Sequence, residues 1–75
     1  MEKFSSKFQK LGVLLKERRM EQGISQQTLS AICDVDIRTV QRIEKGDSNF
    51  SLLIFFSICD ALQLDISKVF YEMNR

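Results

Sequence analysis

The sequence predicts an all-α fold, a compact arrangement of five short helices that forms one domain over residues 1–75. The chain has 75 residues, contains no proline and has 3 glycines, so few positions interrupt a helix. Its apolar residues recur at helical spacing, and few stretches show the strict alternation of a half-buried strand. A chain of this length can bury one small hydrophobic core and lies near the lower limit for folding alone.

A glycine separates the first two predicted helices. The first helix runs from residue 5 or 6 to residue 21, and Gly23 stops it. The second covers residues 26–33, with Ser25 as its N-cap. The face of the first helix that we expect to be buried carries Phe4, Phe8, Leu11, Leu15 and Arg19. The corresponding face of the second helix carries Leu29, Ile32 and Cys33.

Three more helices follow, each after an acidic or hydroxyl N-cap. Residues 34–36 form a turn to the third helix, residues 37–45, which Asp36 caps and Gly46 ends. The fourth is predicted over residues 52–62 after Ser51, with an inner face of Leu52, Phe55, Cys59 and Leu62 and with Ile58 and Phe56 on its flanks. The fifth runs from residue 66 to about residue 73 after Asp65, with Ile66, Val69, Phe70 and Met73 inward.

The third helix has two faces of opposite character. Its polar side, at 100° per residue, carries Arg38, Gln41, Arg42 and Lys45 within about a third of the circumference. Its apolar side carries Ile37, Val40 and Ile43. Arg and Gln are the side chains that bind guanine and adenine edges through two hydrogen bonds each. A helix anchored by one side and exposing such residues suits the major groove, so we predict double-stranded DNA as the partner.

Charge and composition argue against most other functions. The net charge is only +1, but basic residues concentrate in residues 1–24 and 37–46, which is consistent with one DNA-facing side. The chain has no histidine and no CxxC pair, so we expect no metal site, no cofactor and no catalytic constellation. Cys33 and Cys59 lie in apolar helical patterns, which predicts buried free thiols in a reducing cytoplasm. The apolar run 50–59 is too short to cross a membrane.

The chain resembles the lambda-repressor-like (Cro/XRE-type) helix-turn-helix family. The resemblance covers about residues 10–70, with the helix-turn-helix motif at about residues 25–46. The length of the chain is similar to that of restriction–modification controller proteins and small phage-type repressors. It rests on residues at family spacing: Leu11-Gly12, Arg19, Gly23-Ile24-Ser25-Gln26, Leu29, Val35, Val40, Ile43-Glu44-Lys45-Gly46, Ala61-Leu62 and Ile66. It implies a five-helix DNA-binding domain, usually a dimer on a two-fold operator.

Within this motif we assign candidate roles to individual residues. The residues expected to read bases are Ile37, Arg38, Gln41 and Arg42. The residues expected to contact the DNA backbone are Gln26, Gln27, Thr39, Lys45 and Asn49, with Lys10 and Lys16 as weaker candidates. The resemblance implies that Arg19 and Glu44 form a structural ion pair between the first and third helices.

The fourth helix has more apolar side chains than one face can bury. Phe50 stands where the family commonly has proline, and Leu53 and Ile54 occupy positions that are usually polar. We therefore predict a homodimer whose interface draws on Leu53, Ile54, Leu64, Phe70 and Tyr71. The alternative is that Phe4 and Phe8 fold over part of this apolar surface.

Together these observations predict a sequence-specific DNA-binding regulator of transcription that occupies an operator and either blocks RNA polymerase or contacts it. Two alternatives stay open. The chain could be an antitoxin-type protein whose main partner is a toxin protein, or an adaptor that binds other proteins and has lost DNA binding. Binding to duplex DNA and its dependence on salt separate these functions.

Overall fold

Five α-helices and no strand make up the described part of the chain, residues 4–47 and 49–75 of a computed structural model. The helices are α1 (Ser5–Glu21), α2 (Gln26–Cys33), α3 (Ile37–Lys45), α4 (Leu52–Ala61) and α5 (Ile66–Met73). The predicted all-α, five-helix fold is confirmed. The fourth helix ends one residue before the predicted end, because Leu62 leaves helical geometry as the C-cap.

Polar side chains start the last four helices. The side-chain oxygen of each N-cap accepts a hydrogen bond from a backbone N–H two or three residues further on, with N···O distances between 2.9 and 3.2 Å. The four caps are Ser25, Asp36, Ser51 and Asp65. The hydroxyl of Ser67 also donates to Asp65 at 2.8 Å, and this bond together with the backbone N–H of Ser67 lowers the pKa of the Asp65 carboxyl. The caps satisfy N–H groups that a helix leaves without a partner at its start.

The core lies where the five helices meet. α1 packs against α3 and α5, while α2 packs against α3 and α4. The buried apolar side chains are Leu11, Leu15, Leu29, Val40, Ile43, Phe55, Ile58, Cys59, Leu62 and Val69. Because α3 is held from one side by α1 and from another by α2, its remaining surface faces solvent in a fixed orientation.

α1 crosses α3 with backbone against backbone. A Cβ atom at Gly12 would lie 2.6 Å from the carbonyl oxygens of Ile43 and Glu44. A Cβ atom at Gly46, where α3 ends with a φ of +76°, would lie 2.6 Å from the Cα of Gln9. Only glycine fits these approaches. The crossing therefore places the stretch of α1 around Gln9 and Gly12 directly beside the C-terminal end of α3.

Four predicted core positions are wrong. Phe4, predicted on the buried face of the first helix, is 49% exposed, and Phe70, predicted to face inward on the fifth, is 44% exposed. Ile32 is 57% exposed and Leu52 is 65% exposed.

In α2 the inner position belongs to Ser30, whose hydroxyl donates to the carbonyl of Gln27 at 2.7 Å, and Ile32 lies about 160° from it around the helix. In α4, Ile58, predicted as a flank, is buried. Leu52 lies about 20° from the buried Cys59 around the helix but is the first residue of α4, so its exposure reflects its place at the helix start and not the side it occupies.

Five aromatic rings form a connected cluster from α1 to α5. Phe8 meets Phe50 edge-on with centroids 6.3 Å apart, and Phe50 lies 6.2 Å from Phe55. Phe55 also contacts Phe56 at 6.0 Å and stacks on Phe70 at 5.6 Å. Phe50 thus uses its position before α4 to pack against the core. The start of α1 covers part of this apolar surface through Phe8.

Candidate nucleic-acid interface

α3 exposes one side and buries the other. Val40, Ile43 and Glu44 are buried. The side chains that reach solvent along the same helix are Arg38, Gln41, Arg42 and Lys45. Ile37 is 36% exposed in the first turn, and Thr39 is half-buried on the flank. Four basic or amide side chains thus project from a helix whose other side is fixed in the core.

The candidate backbone contacts outside α3 lie at the start of α2 and in the segment after α3. Gln26 and Gln27 are the first two residues of α2, where Gln26 is half-buried and Gln27 is exposed. Asn49 is exposed before α4. The amide nitrogen of Gln26 donates to Glu44 Oε1 at 2.9 Å, so this side chain is held against α3.

A buried ion pair joins α1 to α3. Arg19 Nε donates to Glu44 Oε2 at 2.7 Å and Arg19 Nη2 donates to Oε1 at 3.1 Å. Arg19 Nη1 donates to the carbonyl of Ile24 at 2.7 Å. With the bond from Gln26, the Glu44 carboxylate therefore connects three helices. Such a hydrogen-bonded cluster holds α3 in a defined orientation.

One cleft lies where α1, α2 and α3 meet. Its lining residues are Lys16, Gln26, Gln41, Glu44 and Lys45. The crossing at Gly12 brings Lys16 into this group, which sequence spacing alone does not show. Lys10, six residues earlier, lies about 120° away around α1 and lines a different surface with Val13 and Glu17.

Large apolar side chains are exposed on α4 and α5. Leu53 is 75% exposed and Tyr71 is 68% exposed, and Phe70 is exposed beside Phe55. Two other residues of the predicted dimer interface, Ile54 and Leu64, are half-buried and pack against the core. Leu52 and Phe56 of α4, which are not among the predicted interface residues, are exposed as well.

The described residues hold no group of three His, Cys, Asp or Glu side chains that could bind a metal ion. No helix in this part of the chain is long and apolar enough to cross a membrane. Both cysteines are free thiols, with Cys33 half-buried and Cys59 buried. Burial raises the pKa of Cys59 to about 11 and also raises that of Cys33, so both thiols are poor nucleophiles at neutral pH.

A short capped helix, a tight turn and a second helix that exposes basic residues define a helix-turn-helix DNA-binding domain. The chain belongs to the helix-turn-helix family HTH_3, whose model matches residues 15–69, and the lambda-repressor-like resemblance is confirmed. It is 40% identical over 57 residues to YgzD of Bacillus subtilis strain 168, an uncharacterized HTH-type transcriptional regulator; the match covers 76% of this chain and 86% of YgzD.

Solved structures show the same fold. The restriction-modification controller protein C.AhdI of Aeromonas hydrophila is 31% identical and superimposes with a TM-score of 0.77, over 83% of this chain and 94% of that one. The clp gene regulator ClgR of Corynebacterium glutamicum gives a TM-score of 0.84 at 24% identity, over 91% of this chain and 72% of that one. The family and the fold are those of DNA-binding transcription regulators rather than enzymes.

Proposed function

We propose that the protein binds a two-fold operator as a homodimer and regulates transcription from the promoter beside it. The observation that carries the proposal is the exposed side of α3, where Arg38 and Arg42 project from a helix that the core and the Arg19–Glu44 ion pair hold in place. At an operator the dimer would block RNA polymerase or contact it.

Base reading is assigned to three exposed residues of α3, which are Ile37, Arg38 and Arg42. Arg38 and Arg42 are one turn apart, so both can reach the floor of the major groove and bind guanine. Ile37 is partly exposed in the first turn, where it can meet a thymine methyl group. Gln27 at the start of α2, Thr39 on the flank of α3 and Asn49 after α3 suit contacts to the DNA backbone, and such contacts set the register of the helix on the duplex.

The exposed apolar residues of α4 and α5 supply the dimer interface. Leu53 and Tyr71 are more than two-thirds exposed, and Phe70 extends the aromatic cluster to the surface. In a two-fold interface the same patch of both copies is buried, so the apolar area buried in the complex is twice that of one patch. Such a dimer would place two copies of α3 about 34 Å apart, one turn of DNA.

A double variant of α4 tests the dimer. Leu52→Lys with Leu53→Asp should leave the protein monomeric, because it puts charges on two exposed side chains without touching the core. The matched control is Met20→Lys, which changes an apolar residue of α1 that is 60% exposed. Sedimentation equilibrium of all three proteins measures the outcome. A monomeric wild type at tens of micromolar, or a double variant that dimerises as well as the wild type, contradicts this interface.

Selection of bound sites from a random duplex library tests the function as a whole. The recovered sequences should share a two-fold repeat whose half-sites lie about 10 base pairs apart. Recovery of a single unrepeated half-site would show that the protein binds DNA as a monomer. No enrichment, together with no salt-dependent binding to any duplex, would favour an antitoxin-type or adaptor protein instead.

A further inference from the structure

The last turn of α5 carries two side chains of the proposed dimer interface. Phe70 is 44% exposed and Tyr71 is 68% exposed. α5 has only 8 residues, and a helix this short is marginal without tertiary support. Its last turn contains no basic residue that would interact favourably with the helix dipole. The position of these two side chains therefore depends on contacts between α5 and the rest of the chain.

One such contact comes from the start of α1. The Lys7 ammonium donates a hydrogen bond to Asn74 Oδ1, and Asn74 is the C-cap of α5. The side-chain amide of Asn74 donates in turn to the carbonyl of Phe70 at 2.8 Å, and the backbone N–H of Asn74 donates to the same carbonyl at 3.2 Å. Lys7 thus acts through the cap on the turn that carries Phe70. It also brings a positive charge to the C-terminal end of α5, where the helix dipole favours it.

The start of α1 is itself anchored beside Lys7. Phe8 meets Phe50 edge-on, with ring centroids 6.3 Å apart, and belongs to the aromatic cluster that ends on Phe70. Within residues 4–47 and 49–75, no carboxylate lies within 4.0 Å of the Lys7 ammonium. The packing of Phe8 therefore keeps Lys7 within reach of Asn74, and no ion pair draws it elsewhere in that part of the chain.

We infer that Lys7 is a positioning residue for the homodimer, because its bond to Asn74 keeps the last turn of α5 helical and Phe70 and Tyr71 in place for a second copy. The inference rests on the proposed function. Lys7 and Asn74 both lie outside residues 15–69, which the family model matches, so the bond is a feature of this chain beyond the matched region. Without the bond the turn is helical for a smaller fraction of the time, and the apparent affinity between copies falls with that fraction.

Lys7→Met tests the inference, with Lys10→Met as the matched control. Methionine keeps an unbranched side chain but cannot donate to Asn74, and Lys10 is exposed about one turn further along α1. Sedimentation equilibrium without DNA measures the dimer dissociation constant of each protein. Loss of one net hydrogen bond that leaves the turn helical about a third of the time should raise this constant about tenfold, since both copies must be competent. Lys10→Met should match the wild type, and Lys7→Arg, which keeps a charged donor, should lie close to it.

Hydrogen exchange separates positioning from a general loss of structure. At a concentration where the proteins are monomeric, the backbone N–H of Asn74 should exchange faster in Lys7→Met than in Lys10→Met. The midpoint of urea denaturation should be the same for these two variants, because the bond acts on one turn and not on the core. Unchanged exchange at the end of α5 would contradict the inference.

A second variant shows whether Lys7 acts through Asn74. In an Asn74→Ala background, Lys7→Met should have no further effect on the dimer dissociation constant, because the acceptor is already gone. Equal dimerisation of Lys7→Met and Lys10→Met, or additive effects of Lys7→Met and Asn74→Ala, overturns the inference while dimerisation of the wild type upholds the proposed interface. A wild type that stays monomeric at tens of micromolar overturns both.

Discussion

Replacing Arg19 by methionine is expected to destabilise the fold by about 3 kcal/mol. The substitution would leave the Glu44 carboxylate, whose side chain is 4% exposed, with only the amide of Gln26 as a partner. A buried charge without its counter-ion costs several kcal/mol, because the interior solvates it poorly. Small domains are stable by only about 5 to 15 kcal/mol, so the loss is a large part of the total.

Chemical denaturation of four proteins measures this effect: the wild type, Arg19→Met, Glu44→Met and the double variant. The double variant should lose less stability than the sum of the single variants, since it removes both charges. Arg75→Met is the control, because it breaks a surface pair with Glu72 whose side chains are 66% and 42% exposed. That change should cost less than about 1 kcal/mol. Additive losses would show that Arg19 and Glu44 do not stabilise each other.

Replacing Arg38 by alanine is expected to weaken specific DNA binding by about 1–3 kcal/mol per half-site, with little effect on stability. Arg38 is exposed in the first turn of α3, and its backbone N–H, which the substitution keeps, donates to the Asp36 cap at 2.9 Å. The loss should fall on one base pair per half-site, because a guanine contact through two hydrogen bonds discriminates against the other bases.

Much of the fold follows from local features of the sequence. The helix ends were predictable from Ser25, Asp36, Ser51 and Asp65, since an N-cap acts through its own backbone neighbours. The two faces of α3 were predictable because its apolar residues recur at helical spacing over nine residues. That spacing defines the buried side without reference to the rest of the chain.

Features that depend on how helices cross were not predictable. Ile32 lies in a short helix with apolar residues on several sides, so only the packing of α2 against α3 and α4 decides which side is buried, and Leu52 is exposed because it is the first residue of α4. Lys16 was a weak candidate equal to Lys10, and it is the close approach at Gly12 that places Lys16 beside α3. Ile54 and Leu64 pack partly into the core for the same reason.

The most direct test of base reading by α3 compares Arg38→Ala with Lys45→Ala. Binding of each variant and of the wild type is measured on the selected operator and on all its single base-pair substitutions. Arg38→Ala should lose discrimination at one base pair per half-site and keep it elsewhere. Lys45→Ala should lose affinity equally on every sequence and show a shallower salt dependence. Uniform loss by both variants would contradict the account, because Arg38 would then contact only the backbone.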